Sequence, residues 1–187
     1  MRANLFSEDL LIVKPPWIRR DLPHNRGFFT TRRILRNLRL NTVCYGAACP
    51  NVGECWSRKE AAFMLLGKNC TRNCRFCNVT NNLPEPVDSH EAERVAQAVR
   101  LLGLDYVTIT TVTRDDLEDG GTESFLRAIE EIKNFSLRCT IEVLIPDMKG
   151  DKNLIRQISE SSADVIGHNI EIVKRLYPLI RPQADIE

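Results

Sequence analysis

Three cysteines lie within eight residues in the stretch Cys70-Thr71-Arg72-Asn73-Cys74-Arg75-Phe76-Cys77. This C-x3-C-x2-C spacing lets a short loop turn three thiolates toward one face of a 4Fe–4S cluster, whose fourth iron then has no protein ligand. An open coordination position distinguishes a reactive metal site from a structural one. The stretch therefore predicts a reactive iron–sulfur site.

A zinc knuckle, or a set of unrelated buried thiols, is the alternative interpretation of this stretch. Zinc requires four closed ligands, which usually come in two pairs. Only Cys74 and Cys77 have the spacing of such a pair, and no histidine is close to them in sequence. The spacing therefore favours an iron–sulfur cluster over zinc.

A second group of cysteines precedes this stretch in the chain. Cys44, Cys49 and Cys55 have the spacing C-x4-C-x5-C, and glycine, proline and asparagine residues lie between them. Because these residue types form turns, we expect an irregular loop that folds three thiolates inward. Three cysteines at this spacing are only moderate evidence for a metal, but two triplets in one chain strengthen each other.

The composition limits the classes of function that the chain can have. Its 187 residues are 43% apolar and 27% charged, as is typical of one soluble globular domain. The net charge of +1 gives no general attraction to nucleic acid or membranes, and no apolar run reaches the roughly 20 residues of a membrane span. Residues 1–9 resemble neither a signal peptide nor a transit peptide. Clustered cysteines favour metal binding in a reducing compartment, so we expect a cytoplasmic protein without nucleic-acid or membrane partners.

Alternating patterns in the second part of the chain predict strands and helices in turn. Apolar runs predict strands at residues 61–66, 106–111, 140–145 and 164–169. Helical periodicity predicts helices at residues 88–103, 122–134 and 153–160, and Asp88 and Glu91 should form a capping box on the first of them. Repeated strand–helix units imply right-handed crossovers and a parallel sheet. We therefore expect an α/β fold in which a curved parallel sheet forms part of a TIM-like barrel.

An irregular, cysteine-bearing extension at residues 1–58 should precede the partial barrel at residues 59–187. Prolines favour an irregular arm over residues 1–27, and Thr30 is a plausible N-cap for the short amphipathic helix that follows. The outer face of that helix carries four arginines, which are Arg32, Arg33, Arg36 and Arg39. This face is either a solvated helix surface or a docking surface for an acidic protein partner.

In barrels of this kind the chemistry gathers at the C-terminal ends of the strands. Candidate stretches follow each predicted strand, at residues 70–77, 113–121, 146–147 and 168–171. Adjacent glycines in the second of them would let the backbone approach a ligand closely. The charged side chains at positions 114–116 are explained equally well as a solvated loop or as ligand contacts. His168 is best explained as a strand-end histidine and is not included in the site.

The C-x3-C-x2-C stretch resembles the radical S-adenosylmethionine (SAM) superfamily. Both triplets together resemble the lipoyl synthase family more narrowly, and so do residues 114–121, 143–147 and 168–171. The resemblance runs from about Lys14 to the last residue, and the paired triplets are its most specific part.

The resemblance implies an enzyme that inserts two sulfur atoms, at C6 and C8, into an octanoyl group carried on a lysine of a lipoyl carrier protein or lipoyl domain. The implied cofactors are SAM and two 4Fe–4S clusters, of which one binds SAM and the other, auxiliary cluster donates sulfur. Cleavage of SAM gives a carbon radical that can attack unactivated C–H bonds. An electron donor such as a flavodoxin or ferredoxin is an implied partner.

The resemblance also implies the residues of the site. The SAM-binding cluster is expected on Cys70, Cys74 and Cys77, and the auxiliary cluster on Cys44, Cys49 and Cys55. Phe76 is expected to lie against the adenine of SAM. Further expected contacts to SAM come from Gly120, Gly121, Asn169 and Glu171. No catalytic residue is implied beyond the cluster ligands.

One feature of the lipoyl synthase family has no counterpart in this sequence. The auxiliary cluster of the family takes a fourth ligand from a serine in an Arg-Ser-Ser-Tyr stretch, which this chain, ending at Glu187, does not contain. We therefore expect the N-terminal portion of such a synthase, with an open edge strand. Two alternatives stay open: an iron–sulfur electron carrier without SAM chemistry, and a catalytically incomplete fragment or split subunit that only binds clusters. Electron carriers usually close all four cluster positions with cysteine, whereas each triplet here provides three.

Overall fold

The fold is described by a computed structural model for residues 25–136 and 138–184. The strands are β1 (Asn41–Thr42), β2 (Ala62–Leu65), β3 (Asn69–Cys70), β4 (Thr80–Asn81), β5 (Tyr106–Thr111), β6 (Thr140–Leu144) and β7 (Val165–Gly167). The α-helices are α1 (Arg26–Asn37), α2 (Val43–Gly46), α3 (Val52–Ser57), α4 (Glu91–Leu102), α5 (Thr122–Phe135), α6 (Lys152–Ser159) and α7 (Tyr177–Ile180). Short 3-10 helices span Met148–Gly150 and Lys174–Leu176. None of the helices in this part of the chain is both long and apolar enough to cross a bilayer.

A parallel sheet of four strands, in the order β2-β5-β6-β7, forms the centre of the fold. The register places Phe63 beside Ile109, Ile109 beside Val143, and Val143 beside Ile166. β7 pairs only with β6 among the described strands, and both Val165 and Ile166 are exposed there. The predicted α/β fold with a parallel sheet is thus confirmed, and β7 is an open edge in the described part of the chain.

The two faces of the sheet differ in polarity, as the two-residue period of a strand allows. Phe63, Ile109 and Val143 lie on the apolar face and are fully buried in one core with α4 and α5. On the opposite face, the Thr108 hydroxyl donates a hydrogen bond to Glu142, with 3.0 Å between the oxygens. Half-buried polar groups on one face are typical of a sheet that lines an interior space.

The later helices confirm the predicted pattern, with bounds that differ by a few residues. α5 buries Phe125, Ile129 and Ile132 on one side, and α4 is followed by Gly103, a C-cap in the left-handed conformation. Cys139, directly before β6, is buried in the core. β7 is shorter than its prediction because His168 and Asn169 have already left the sheet.

Two helix starts were predicted wrongly. α1 is capped by Asn25, whose Oδ1 accepts a hydrogen bond from Phe28 N at 3.0 Å, so Thr30 lies inside the helix. Arg26 and Gly27 therefore belong to α1, and the rest of the predicted irregular arm, up to residue 24, lies outside the described residues. The capping box on α4 is also absent, because the Glu91 side chain accepts a hydrogen bond from Leu66 N instead.

The first cysteine stretch is more regular than predicted. Cys44 lies in α2 and Cys55 in α3, where an irregular loop was expected. The Thr42 hydroxyl caps α2 by accepting a hydrogen bond from Tyr45 N at 3.4 Å. β1, which the sequence did not predict, adds an antiparallel strand to the β2 edge directly before α2. Short helices rather than turns therefore orient this triplet.

Candidate metal centre

A buried arginine holds the second cysteine stretch against two strand ends. The Arg72 side chain is only 2% exposed. Its Nε and Nη2 donate to the Asp115 carboxylate after β5, at 2.7 and 2.9 Å, and Nη1 donates to Asp147 after β6 at 2.5 Å. Burial opposes the charge, but the hydrogen bonds to both carboxylates outweigh it and raise the pKa of Arg72. Residues 66–77, which we call the second cysteine segment, are thereby tied to the loops after β5 and β6.

Backbone hydrogen bonds reinforce this connection beside Arg72. Both the amide and the hydroxyl of Thr71 donate to the Thr113 carbonyl, at 3.0 and 2.9 Å. The Thr71 hydroxyl also accepts from Asp115 N at 3.1 Å. The same loop after β5 therefore positions two successive residues of the second cysteine segment.

The beginning of the second cysteine segment is held in an unusual backbone conformation. Leu66 has a φ of 66°, which is rare for a residue other than glycine. Its amide donates to the buried Glu91 carboxylate at 2.8 Å, and its carbonyl accepts from Arg114 Nη1 at 3.5 Å. Burial raises the pKa of Glu91. Two charged side chains thus stabilise the turn that leads from β2 into the cysteines.

The charged residues at positions 114–116 make structural ion pairs. Arg114 is buried and donates from Nε and Nη2 to both oxygens of Asp116, each at 2.8 Å. This pair raises the pKa of Arg114 and lowers that of Asp116. Because Asp115 binds Arg72, the loop is not the solvated charged loop that was one of its two interpretations. Sequence reasoning missed the role of Arg72, and its only signal was an arginine between cysteines with acidic residues after two strands.

The three thiols of the second cysteine segment lie close together. Arg72 N donates to Cys70 Sγ and Val79 N donates to Cys77 Sγ, both at 3.4 Å. Burial raises the pKa of the Cys74 thiol, the Arg181 guanidinium partly offsets this, and the neighbouring Cys70 and Cys77 raise it further. Amide hydrogen bonds to cysteine sulfurs are one way in which proteins adjust bound iron–sulfur clusters.

A later part of the chain covers the second cysteine segment. Arg75 N donates to the Ile180 carbonyl at 3.0 Å, and Asn73 N donates to Gln183 Oε1 at 2.9 Å. These contacts bring residues 180–183 onto the loop between Cys70 and Cys77. The sequence pattern gave no sign of this packing.

Arg181 connects that covering stretch to the end of β7. Its Nη1 donates to the Asn169 carbonyl at 3.1 Å, and its guanidinium carbon lies 5.4 Å from the centre of the Tyr177 ring. The Tyr177 hydroxyl in turn donates to the Ile170 carbonyl at 2.6 Å. Arg181 also lies beside Cys74. It therefore links the second triplet to the backbone carbonyl of Asn169, one of the residues predicted to contact SAM.

The first triplet lies in residues 41–57, which we call the first cysteine segment. Its three thiols are each half-buried. Burial raises the pKa of Cys55, and Glu60, Cys44 and Cys49 raise it further. Charges influence one another in this way only over short distances, so these thiols also lie near one another. Cys49 N donates to the Cys44 carbonyl at 3.1 Å, which turns the chain between α2 and α3.

A protein-family model covers the part of the chain in which the second triplet and the strand ends lie. The model for the radical SAM superfamily matches residues 64–187. The chain belongs to the radical SAM superfamily. Membership implies SAM and a 4Fe–4S cluster as cofactors.

The chain is also similar to a protein named lipoyl synthase from Caldicellulosiruptor saccharolyticus. The two are 47% identical over 174 residues, which are 93% of this chain. The chain spans 61% of the length of that curated relative. The matched region includes residues before the superfamily model begins, since 174 residues exceed the extent of the model match.

The donor chemistry at both triplets fits an iron–sulfur cluster. In residues 25–136 and 138–184, no three Cys, His, Asp or Glu side chains converge as closely as the ligands of a single metal ion. A cubane cluster binds each thiolate at a different iron, so its ligands stand further apart than those of one ion. Three neighbouring thiols with amide donors to sulfur, as in the second cysteine segment, suit such a superfamily cluster.

The remaining predicted SAM contacts are distributed around the strand ends. Phe76 is 52% exposed, next to Cys77, which is also exposed. Gly120 has a φ of 57° and lines a cavity of about 330 Å³ with Arg72 and the loops after β5 and β6. Asn169 and Glu171 are exposed after β7 and do not line that cavity. The structure therefore brings Gly120 and Arg72 to the same cavity, which Asn169 and Glu171 do not line.

Gly121 has a local structural role that is independent of any ligand. Its φ is 92°, and a Cβ at this position would collide with the Leu66 side chain. A larger residue would therefore be disfavoured here even in the absence of SAM. Its contribution to SAM binding stays a prediction.

Proposed function

We propose that this protein is a lipoyl synthase of the radical SAM type, which inserts sulfur at C6 and C8 of an octanoyl group bound to a lipoyl carrier protein or lipoyl domain. The observation that carries the proposal is the presence of two cysteine triplets on two separate segments. The second triplet alone would indicate only the superfamily, whereas a second set of three neighbouring thiols calls for a second cluster. The similarity to a relative named lipoyl synthase supports the same function.

Each cysteine segment holds one 4Fe–4S cluster in this proposal. Cys70, Cys74 and Cys77 hold the SAM-binding cluster, and Cys44, Cys49 and Cys55 hold the auxiliary cluster. When bound, the first cluster and SAM supply a carbon radical for unactivated C–H bonds, and the auxiliary cluster supplies sulfur. Residues 1–58 then form the auxiliary-cluster part of the chain, and residues 59–187 form the SAM-binding part.

The residues of the chain position and shield these groups. Arg72 fixes the second cysteine segment against the strand ends, and Arg181 lies beside Cys74. We assign the contacts to SAM to Phe76, Gly120, Gly121, Asn169 and Glu171. Acid–base catalysis has no role at the octanoyl carbons, because their C–H bonds are not acidic. The electron for SAM cleavage comes from a donor protein such as a flavodoxin or ferredoxin.

Iron and acid-labile sulfide analysis after anaerobic reconstitution tests the proposal. The wild-type chain should bind about eight irons, and changing either triplet to alanine should leave about four. The matched control is Cys139→Ala, which removes a buried thiol from outside both triplets and should leave the iron content unchanged. Zinc in place of iron would contradict the proposal.

A SAM-cleavage assay separates a synthase from an electron carrier. The reconstituted, reduced chain should release 5′-deoxyadenosine, and the variant without Cys70, Cys74 and Cys77 should not. The variant without the first triplet should still cleave SAM but should insert no sulfur into an octanoylated lipoyl domain. Two clusters without SAM cleavage would instead indicate a carrier.

A further inference from the structure

Four exposed arginines, three on the outer face of α1 and Arg39 two residues beyond its end, lack acidic partners in the described part of the chain. We call Arg32, Arg33, Arg36 and Arg39 the basic face. All four are exposed, and no carboxylate among residues 25–136 and 138–184 forms an ion pair with any of them. Like charges one turn apart on a helix repel one another. The basic face therefore carries a local electrostatic cost that an acidic partner would remove.

An exposed aromatic ring lies among these arginines. Phe29 is 52% exposed, and it shares a shallow depression with Arg32, Arg33 and Arg36. Aromatic residues and arginine are the types enriched in the centres of protein–protein interfaces. The net charge of the whole chain is only +1, whereas nucleic-acid-binding domains are usually strongly basic overall. These features favour a protein with an acidic surface over a nucleic acid.

The basic face leads directly to the first cysteine segment. A pocket of about 770 Å³ lies between α1 and α2, and its lining includes Arg32, Arg36 and Arg39 on one side and Tyr45 and Gly46 on the other. Tyr45 follows Cys44 in the chain. A partner bound to the basic face would thus lie next to the first triplet.

α1 is also fixed to that segment by buried contacts. The Thr31 hydroxyl donates to the Trp56 carbonyl in α3 at 3.0 Å, and the centres of the Phe28 and Trp56 rings lie 5.6 Å apart. Trp56 directly follows Cys55. The distance between a partner on α1 and the first triplet is therefore set by packing and not by a loose linker.

We propose that the basic face of α1 is the docking surface for an acidic face of the acylated carrier protein, which it holds beside the first cysteine segment. This inference rests on the proposed function, because that function requires a protein substrate to reach the auxiliary cluster. Charge complementarity, the exposed Phe29 and the continuity of the pocket with Tyr45 and Gly46 carry it.

Binding of an octanoylated lipoyl domain with an acidic surface to the reconstituted full chain tests the proposal. The variant Arg32→Glu/Arg36→Glu reverses two exposed charges one turn apart. The control Lys152→Glu/Arg156→Glu makes the same charge change one turn apart on α6, where both side chains are also exposed. At low salt, the dissociation constant should rise roughly tenfold for the α1 variant and by less than about twofold for the α6 variant. The difference should shrink as salt is raised, because exposed charges are screened.

The outcomes separate this proposal from the proposed function. The iron content of both variants should equal that of the wild type. If the wild-type chain holds two clusters but the α1 variant binds the carrier normally, or if both variants weaken binding equally, the docking surface is wrong while the proposed function stands. If the wild-type chain does not bind the carrier at all, the docking surface is also contradicted. If α1 reversal abolishes binding of a single-stranded RNA oligonucleotide but spares the carrier, the partner is a nucleic acid.

Discussion

The two cysteine segments are held in the structure by different kinds of interaction. The second is cross-linked by the buried Arg72 to carboxylates after β5 and β6, and residues 180–183 cover it. The first is joined to the sheet by the two-residue strand β1 and rests on α1 through the Trp56 ring and one buried hydrogen bond from Thr31. The ion pairs at its end, which Arg58 forms with Glu54 and Glu60, lie on the surface.

This difference has consequences for how firmly each triplet is positioned. Charges in a buried, hydrogen-bonded network interact more strongly than exposed pairs, and breaking the network is costly. We therefore expect the first segment, with its short strand, apolar packing and exposed ion pairs, to open at a lower free-energy cost. Such an arrangement suits the proposed roles, since a cluster that binds SAM needs a fixed position and a cluster that donates its sulfur has to be replaced.

Removing the buried arginine should produce the largest effect. Arg72→Ala leaves Asp115 and Asp147 without its guanidinium in a buried site, which should cost about 3–5 kcal/mol of unfolding free energy. For a chain of this length, thermal unfolding should shift down by roughly 10 °C. Circular dichroism on heating measures the shift, and iron analysis should show loss of the cluster at Cys70, Cys74 and Cys77.

The control for this prediction is Arg58, the residue directly after the first cysteine segment. Arg58→Ala removes an arginine from exposed ion pairs with Glu54 and Glu60, so it should change the unfolding temperature little. Arg72→Lys should recover only part of the stability, because an ammonium group cannot bind Asp115 through two parallel hydrogen bonds. Equal shifts for Arg58→Ala and Arg72→Ala would show that the two segments are held alike.

The sequence predicted the parts of the site that depend on local pattern. Periodicity located the parallel strands, and the strand ends indicated where the second triplet and its neighbours would meet. It could not predict the partners of Arg72, which lie 43 and 75 residues away in the chain. Glu91 was predicted to have a local partner and has a distant one. Its side chain accepts a hydrogen bond from Leu66, 25 residues away, and does not form the capping box predicted at the start of α4. Long-range polar contacts leave no periodic signal.

Loosening the first segment should have a smaller effect. Thr31→Val keeps the shape of a side chain that is fully buried but removes the donor to the Trp56 carbonyl. The lost hydrogen bond should cost about 1–2 kcal/mol. Under a chelator, iron should leave the first triplet faster, while the rate for the second triplet should not change. Thr30→Val, at the neighbouring half-buried position, is the control and should behave as the wild type.

The smallest effect should appear in the pH dependence around Leu66, where the second segment begins. Burial raises the pKa of Glu91 above its unfolded value of about 4.3. The stability that Glu91 contributes is therefore fully present below that value and is lost as pH rises through the folded-state pKa. The Glu91→Gln side chain cannot ionise, so this variant does not lose stability from ionisation at position 91 as pH rises. The unfolding free energy of the wild type, relative to Glu91→Gln, should decrease from about pH 4 toward neutrality.

Asp116→Asn should give the opposite sign at the ion-pair partner of Arg114, the arginine that contacts the Leu66 carbonyl. Arg114 lowers the pKa of Asp116, so its contribution is present above the unfolded pKa and is lost as pH falls through the folded one. Relative to Asp116→Asn, the wild type should therefore gain stability as pH rises. Urea unfolding at several pH values measures the unfolding free energy of the wild type and of both variants. Titratable groups that the proteins share contribute equally, so they cancel when a variant is subtracted from the wild type. Two slopes of the same sign would contradict the assignment of Glu91 as a buried acid and Asp116 as an ion-paired one.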